Sequence, residues 1–194
     1  MSAERPLRAD AARNRSKILE AADRQIIIHG PEVRMEVIAE EAGVAVGTLY
    51  RHFPTKDALV AAVVEEHVEW IMNEVEAAAD RMEAGADPLD EFRRFLLATV
   101  ELAASDKAAK AAARALGAQL DIERPIARGT AAIERIIKVG KDNGCFRPDL
   151  AVEDFHLLFA TVPVDQPPKA RERFLELILN GVVAVPAAKP NAAD

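Results

Sequence analysis

The chain has 194 residues, half of them apolar, with a single cysteine and a net charge of −7. That length can hold one large domain or two small ones with a proper core. Cys145 alone excludes an internal disulfide and fits a reducing compartment. No apolar signal region opens the chain and no apolar run is long enough to cross a bilayer, so a soluble, cytoplasmic protein with no membrane partner is expected. The charge is unevenly placed. Residues 1–56 hold 9 Lys+Arg against 8 Asp+Glu, whereas residues 57–194 hold 16 against 24. From Arg5 to Lys17 there are 5 basic residues and one acid, Asp10. An acidic body with a locally basic head is compatible with DNA binding, because only the local charge displaces counterions.

Ala, Leu, Glu and Arg are abundant and favour helix, while strand-like alternation is scarce. The expected fold class is all-α, with about nine helices. Residues 1–10 read as a flexible arm whose Arg5 and Arg8 are candidates for a minor groove, though a solvated tail is the plainer reading. Helix 1 is predicted from about Ala11 to His29, with Asp10 as its N-cap and Gly30 as its stop. Ile18, Ala22 and Ile26 share one face at four-residue spacing, whereas Ile28 has no evident place.

Helix 2 is predicted over about Met35–Ala42, and Gly43 follows it where a left-handed backbone is wanted. Helix 3 follows over about Val46–Phe53. Leu49 and Phe53 point inward together, and the other face carries Val46, Gly47, Thr48, Tyr50, Arg51 and His52. The pair makes a helix-turn-helix, and an outward face without acids suits a major groove. Pro54 breaks the chain and Thr55 caps helix 4, which runs to about Met82. Lys56 stands at that helix's N-terminus, against the macrodipole, and a docked phosphate would offset it.

Gly85–Pro88 is a break. Helix 5 is predicted over about Leu89–Ala104, and residues 106–116 form a separate Ala-rich helix. Helix 7 ends at Asn143-Gly144. Helix 8 covers about Val152–Val162, with Asp149 as a cap candidate, and helix 9 about Lys169–Val185. Helix 9 holds more apolar surface than one neighbour can cover. The expected organisation is a helix-turn-helix domain over 11–56, continuing into helix 4, a regulatory domain over 57–185, and a disordered tail over 186–194.

GVAVGTLYRHF followed by PTK, with ILEAADRQIIIHG before and DALVAAV after, resembles the signature of the tetracycline-repressor (TetR) family of bacterial transcriptional regulators. The likeness covers roughly the first third of the chain. It implies a double-stranded DNA operator as partner, read by Arg34, Val46, Gly47, Thr48, Tyr50, Arg51, His52 and Lys56, with Tyr50 and His52 on phosphates. Three positions depart from the family pattern. Arg34 stands where a capping Ser or Thr is usual, a loss of about 1 kcal/mol. Ala45 replaces a Ser or Thr, and Val46 offers only apolar contact, for instance to a thymine methyl. The resemblance also implies a small-molecule effector in an apolar pocket, with Trp70, Met72, Phe92, Phe95, Leu96, Ile133, Phe155 and Phe159 as candidate lining, although each alone reads as ordinary core. It further implies a homodimer through helices 8 and 9, with Phe155, Leu158, Phe159, Phe174, Ile178 and Val182 at the interface. The implied function is repression relieved by a mostly apolar ligand.

No enzymatic constellation stands out, and no cofactor or metal is expected. His67 lies among Glu65, Glu66 and Glu69 and reads as part of a solvated helix face rather than an acid–base pair. Cys145 with His156 lacks a third group. Two other classes compete with the regulator. One is a helical small-molecule-binding protein with a vestigial DNA motif, favoured by Arg34, Ala45 and Val46. The other is a dimer that serves protein interaction alone.

Overall fold

The structure is a computed structural model that describes residues 4–164 and 166–184. The expected tail and the side chains of Arg5 and Arg8 lie outside the described residues. Within them the chain forms α1 (Glu4–His29), a 3-10 turn (Gly30–Glu32), α2 (Met35–Glu41), α3 (Val46–His52), α4 (Lys56–Glu83), α5 (Pro88–Leu116), α6 (Glu123–Asp142), α7 (Val152–Ala160) and α8 (Pro168–Val182). The fold is all-α, as expected, with one isolated antiparallel bridge between Phe146 and Val183.

Several expected boundaries and caps change. The helix expected from Ala11 starts at Glu4, so residues 4–10 are helix rather than arm. Pro6 falls in the first turn, where its missing N–H costs no hydrogen bond. Asp10 is therefore not a cap; it pairs with Arg13 one turn on. The two helices expected over 89–116 are one, because Ser105-Asp106 offers a cap-like signal but no backbone breaker between two Ala-rich runs. Asp149 does not cap α7. It accepts from Arg147 at 2.6 and 2.9 Å, and Asp154 instead accepts from the Ala151 N–H at 2.8 Å.

The chain divides into two compact units, and the division is not the one expected after residue 56. The first comprises residues up to Trp70 together with Leu102–Pro125; the second comprises Ile71–Glu101 together with the residues from Ile126 on. In the first, Ile18, Ala22 and Ile26 of α1 are buried with Ile38, Leu49, Phe53 and Leu59. In the second, the core is aromatic. Phe92 of α5 lies 5.5 Å from Phe146 and 5.2 Å from Phe155, ring centre to ring centre, and Phe95 lies 5.4 Å from Phe159. Gly140 of α6 is required by that core, since a Cβ there would come within 2.1 Å of the Phe146 ring. Arg135 of α6 reaches α4, donating to Glu83 at 2.9 Å and Asp80 at 2.6 Å.

Candidate nucleic-acid interface

The turn between α2 and α3 is closed by backbone. Gly43 adopts φ 65°, and Val44 N–H donates to the Ala39 carbonyl at 3.0 Å. Gly43 takes this conformation without a Cβ penalty. Leu49 and Phe53 then anchor α3 inward, which leaves its other residues facing out. Val46 is 39% exposed and Tyr50 41%. Gly47 and Arg51 are exposed, and Thr48 and His52 are half-buried. Arg51 Nη2 lies 3.4 Å from Thr48 Oγ1. The six α3 residues singled out in the sequence thus share one short helix, and none of them is acidic.

Lys56 opens α4 but is not idle. Its Nζ donates to the Pro31 carbonyl at 3.0 Å, which ties α4 to the 3-10 turn and offsets part of the clash with the macrodipole. Two further ammonium hydrogens remain available by valence. Thr55 Oγ1 accepts from the Ala58 N–H at 3.3 Å, the cap expected of it. Arg34 precedes α2 with no side-chain cap, and its guanidinium lies 3.6 Å from Glu36 while remaining well exposed.

Some contacts that hold this site have no local sequence signal. Arg15 of α1 stacks over the Phe53 ring at 5.6 Å. Glu41, at the end of α2, accepts from Arg24 and Gln25 of α1, both at 2.5 Å. The hydrogen bond from Arg24, then that from Gln25, holds the Glu41 carboxyl below the usual carboxylate range. His67 is not on a solvated face: it is 7% exposed and its imidazole lies between Asp23 and Asp106. The charged sequence around it concealed that one residue of the run points inward.

Six of the eight candidate pocket residues gather in one cluster. Phe92, Phe95, Leu96, Ile133 and Phe155 are buried core of the second unit, with Phe159 packed against it. Met72 fills the space beside Gly129, where a Cβ would sit 1.9 Å from its sulfur. Trp70 belongs to the first unit and is 40% exposed. A narrow apolar crevice in the second unit is lined by Leu96, Thr99, Phe159, Phe174, Leu175 and Ile178 among others. The Thr99 hydroxyl donates to the Phe95 carbonyl at 2.9 Å.

Of the candidate dimer residues, Phe155 and Val182 are buried within the subunit. They complete its own core and cannot present surface, which corrects their assignment. Leu158, Phe159, Phe174 and Ile178 are half-buried. The freely exposed apolar residues on α7 and α8 are ones not singled out, Leu157 at 62% and Leu177 at 56%.

A helix-turn-helix with an acid-free outward helix, on an otherwise helical chain, defines a protein of the helix-turn-helix class. The chain belongs to the TetR family of bacterial regulatory proteins. The sequence profile of the bacterial regulatory proteins of the tetR family matches residues 18–63. The TetR transcription regulatory protein from Mycobacterium vanbaalenii is 34% identical in sequence; the likeness covers 92% of this chain and 99% of that one, with a TM-score of 0.70. A TetR transcriptional regulator from Streptomyces coelicolor is 28% identical over 90% of this chain and 99% of that one, with a TM-score of 0.72. An HTH-type transcriptional regulator of Staphylococcus aureus is 33% identical over 95 residues, 45% of this chain. The match spans about half the length of such curated relatives, 51%.

Proposed function

We propose that the protein is a homodimeric transcriptional regulator that binds a pseudo-palindromic operator and is released by a small, mostly apolar molecule. The observation that carries this reading is the outward face of α3, which offers Thr48, Tyr50, Arg51 and His52 with no carboxylate among them. In this reading α3 enters the major groove. Val46 meets a base edge through apolar contact, while Tyr50, His52 and the remaining donors of Lys56 hold phosphates. Arg34, exposed at the start of α2, reaches the same backbone.

The exposed Leu157 and Leu177 support a second copy of the chain as the occupant of the α7–α8 face. Gly181 supports it too: it is exposed in α8, and a Cβ there would meet nothing within 4 Å, so its smallness serves no contact inside the subunit. The interface is assigned to Leu157, Leu158, Phe174, Leu177 and Ile178. The cluster of Phe92, Phe95, Leu96, Ile133, Phe155 and Phe159 in the second unit, apolar throughout, favours an apolar effector over a polar one.

Selection from random duplex DNA with the purified protein tests the reading. A two-fold symmetric site is expected. The combined variant Tyr50→Phe, His52→Ala, Lys56→Ala should then weaken operator binding and flatten its salt dependence, by about one unit of log–log slope for each phosphate no longer neutralised. An unchanged affinity and slope would overturn the assignment. For the effector, apolar and aromatic compounds should raise the Tm and release DNA, whereas polar anions should do neither.

A further inference from the structure

His67 sits on α4 in the first unit, 7% exposed, between carboxylates of two other helices. Its Nε2 is 3.1 Å from Asp23 Oδ1 of α1, and its Nδ1 is 4.0 Å from Asp106 Oδ1 of α5. Those two oxygens and Nδ1 are buried without a well-formed hydrogen bond. Asp106 Oδ2 accepts from Lys110 one turn on, at 2.7 Å. We propose that Asp23, His67 and Asp106 form a proton-operated latch that holds α1, α4 and α5 together and makes operator affinity depend on pH.

The argument is one of donors and acceptors. A neutral imidazole has one N–H and one lone pair. Whichever nitrogen carries the hydrogen, the other turns its lone pair toward a carboxylate oxygen. The imidazolium has two N–H groups, one for each carboxylate. It also balances charge, since Asp23 and Asp106 then face His67 and Lys110 as two negatives against two positives. Glu66, beside His67 on α4, has Arg15, Glu20 and Asp23 of α1 among its charged neighbours. Burial holds the Glu66 carboxyl above its usual range, against the pull of Arg15 and His67, so this neighbourhood already resists negative charge. Proton loss from His67 withdraws a positive charge from between the half-buried Asp23 and Asp106, and the latch loosens as pH rises.

What the latch holds is the packing surface of the recognition helix. Asp23 lies on the same helix as Ile18, Ala22 and Ile26, which are buried in the core that seats α3. α4 and α5 are also the helices that continue into the second unit, so a shift of either one changes the separation of His67, Asp23 and Asp106.

The test rests in part on the DNA-binding reading, so it has an arm without DNA. The full chain and its His67→Gln and Asp106→Asn variants are compared between about pH 6 and pH 8, the range in which histidine changes charge. Operator affinity is read by fluorescence anisotropy and Tm is read without DNA. The wild type should lose both affinity and Tm as pH rises, by at most about tenfold in affinity per pH unit for each proton, hence about a hundredfold for the two copies in a dimer. His67→Gln should flatten both profiles and Asp106→Asn should reduce their slopes. His52 is present in both the wild type and His67→Gln, so the difference between them isolates His67. If His67→Gln does not fold, Asp106→Asn decides. A flat wild-type Tm profile, or a slope that survives in the variants, overturns the latch. A His67-dependent Tm with a pH-independent affinity overturns its control of DNA. Binding absent at every pH removes the DNA-binding reading, and the Tm arm then judges the latch alone.

Discussion

The two compact units differ in what fills their centres. In the second unit, four phenylalanines from three segments of the chain make the centre, and the buried Glu91 is held by Arg81 at 2.7 Å. In the first unit the apolar residues are smaller. Polar side chains link helices in both units: Glu41 to Arg24 and Gln25, Lys56 to the Pro31 carbonyl and His67 to Asp23 in the first, and Arg135 to Asp80 and Glu83 in the second. An aromatic core resists small displacements because close packing has no intermediate arrangement. A polar link can be made, broken or titrated. The aromatic centre belongs to the second unit, and the links at Glu41, Lys56 and His67 belong to the unit that holds the helix-turn-helix.

The largest effects should come from the aromatic core. Phe155→Ala removes a ring with no exposure, packed on Phe92, and should cost about 3–5 kcal/mol in a denaturant titration. A loss below about 1 kcal/mol would mean that the ring is not the centre of its unit. Gly140→Ala comes next. Its new Cβ collides with the Phe146 ring, and the expected cost is about 1–3 kcal/mol.

The same contrast explains what the sequence disclosed. The helix-turn-helix was legible because its determinants are local: Gly43 at a positive φ, Leu49 and Phe53 four apart, Pro54 and Thr55 at the next boundary. The outward α3 residues followed from that register. The rest of the site was hidden because its contacts join distant segments. Nothing near Lys56 announces the Pro31 carbonyl, and nothing near His67 announces Asp23 or Asp106. In the second half, periodicity placed the helices but could not separate core from surface. Phe155 and Val182 were assigned to an interface although they close the subunit's own core, while Leu157 and Leu177 stand exposed. One amphipathic stripe looks the same whichever body covers it.

Gly47 sharpens the comparison with Gly140, with a smaller effect of opposite sign. It is exposed inside α3, and a Cβ there would meet nothing within 4 Å. Gly47 is the second residue of α3, where a glycine costs less than the roughly 0.5–1 kcal/mol of a helix interior. Gly47→Ala should therefore raise the stability of the free protein by up to about 0.5 kcal/mol. In the DNA-binding reading it should also weaken operator affinity, because the added methyl keeps the helix from the groove. A variant that is both more stable and equally tight on DNA would show that Gly47 makes no close approach.

The smallest effect concerns the polar links themselves. Folding lowers the pKa of Glu41, chiefly through the hydrogen bond from Arg24. A carboxylate whose pKa is depressed on folding stabilises the protein above its unfolded value, and that contribution fades as pH falls through the folded value. Arg24→Ala should therefore narrow the stability difference between neutral pH and about pH 3, and leave stability at the acid end nearly unchanged. The pair lies at the surface, so salt should erode the difference further. Unfolding midpoints of wild type and Arg24→Ala, taken down the acid limb at low and high salt, read this directly. Parallel curves offset by a constant would mean that Arg24 acts by packing along α1 and not through the charge of Glu41.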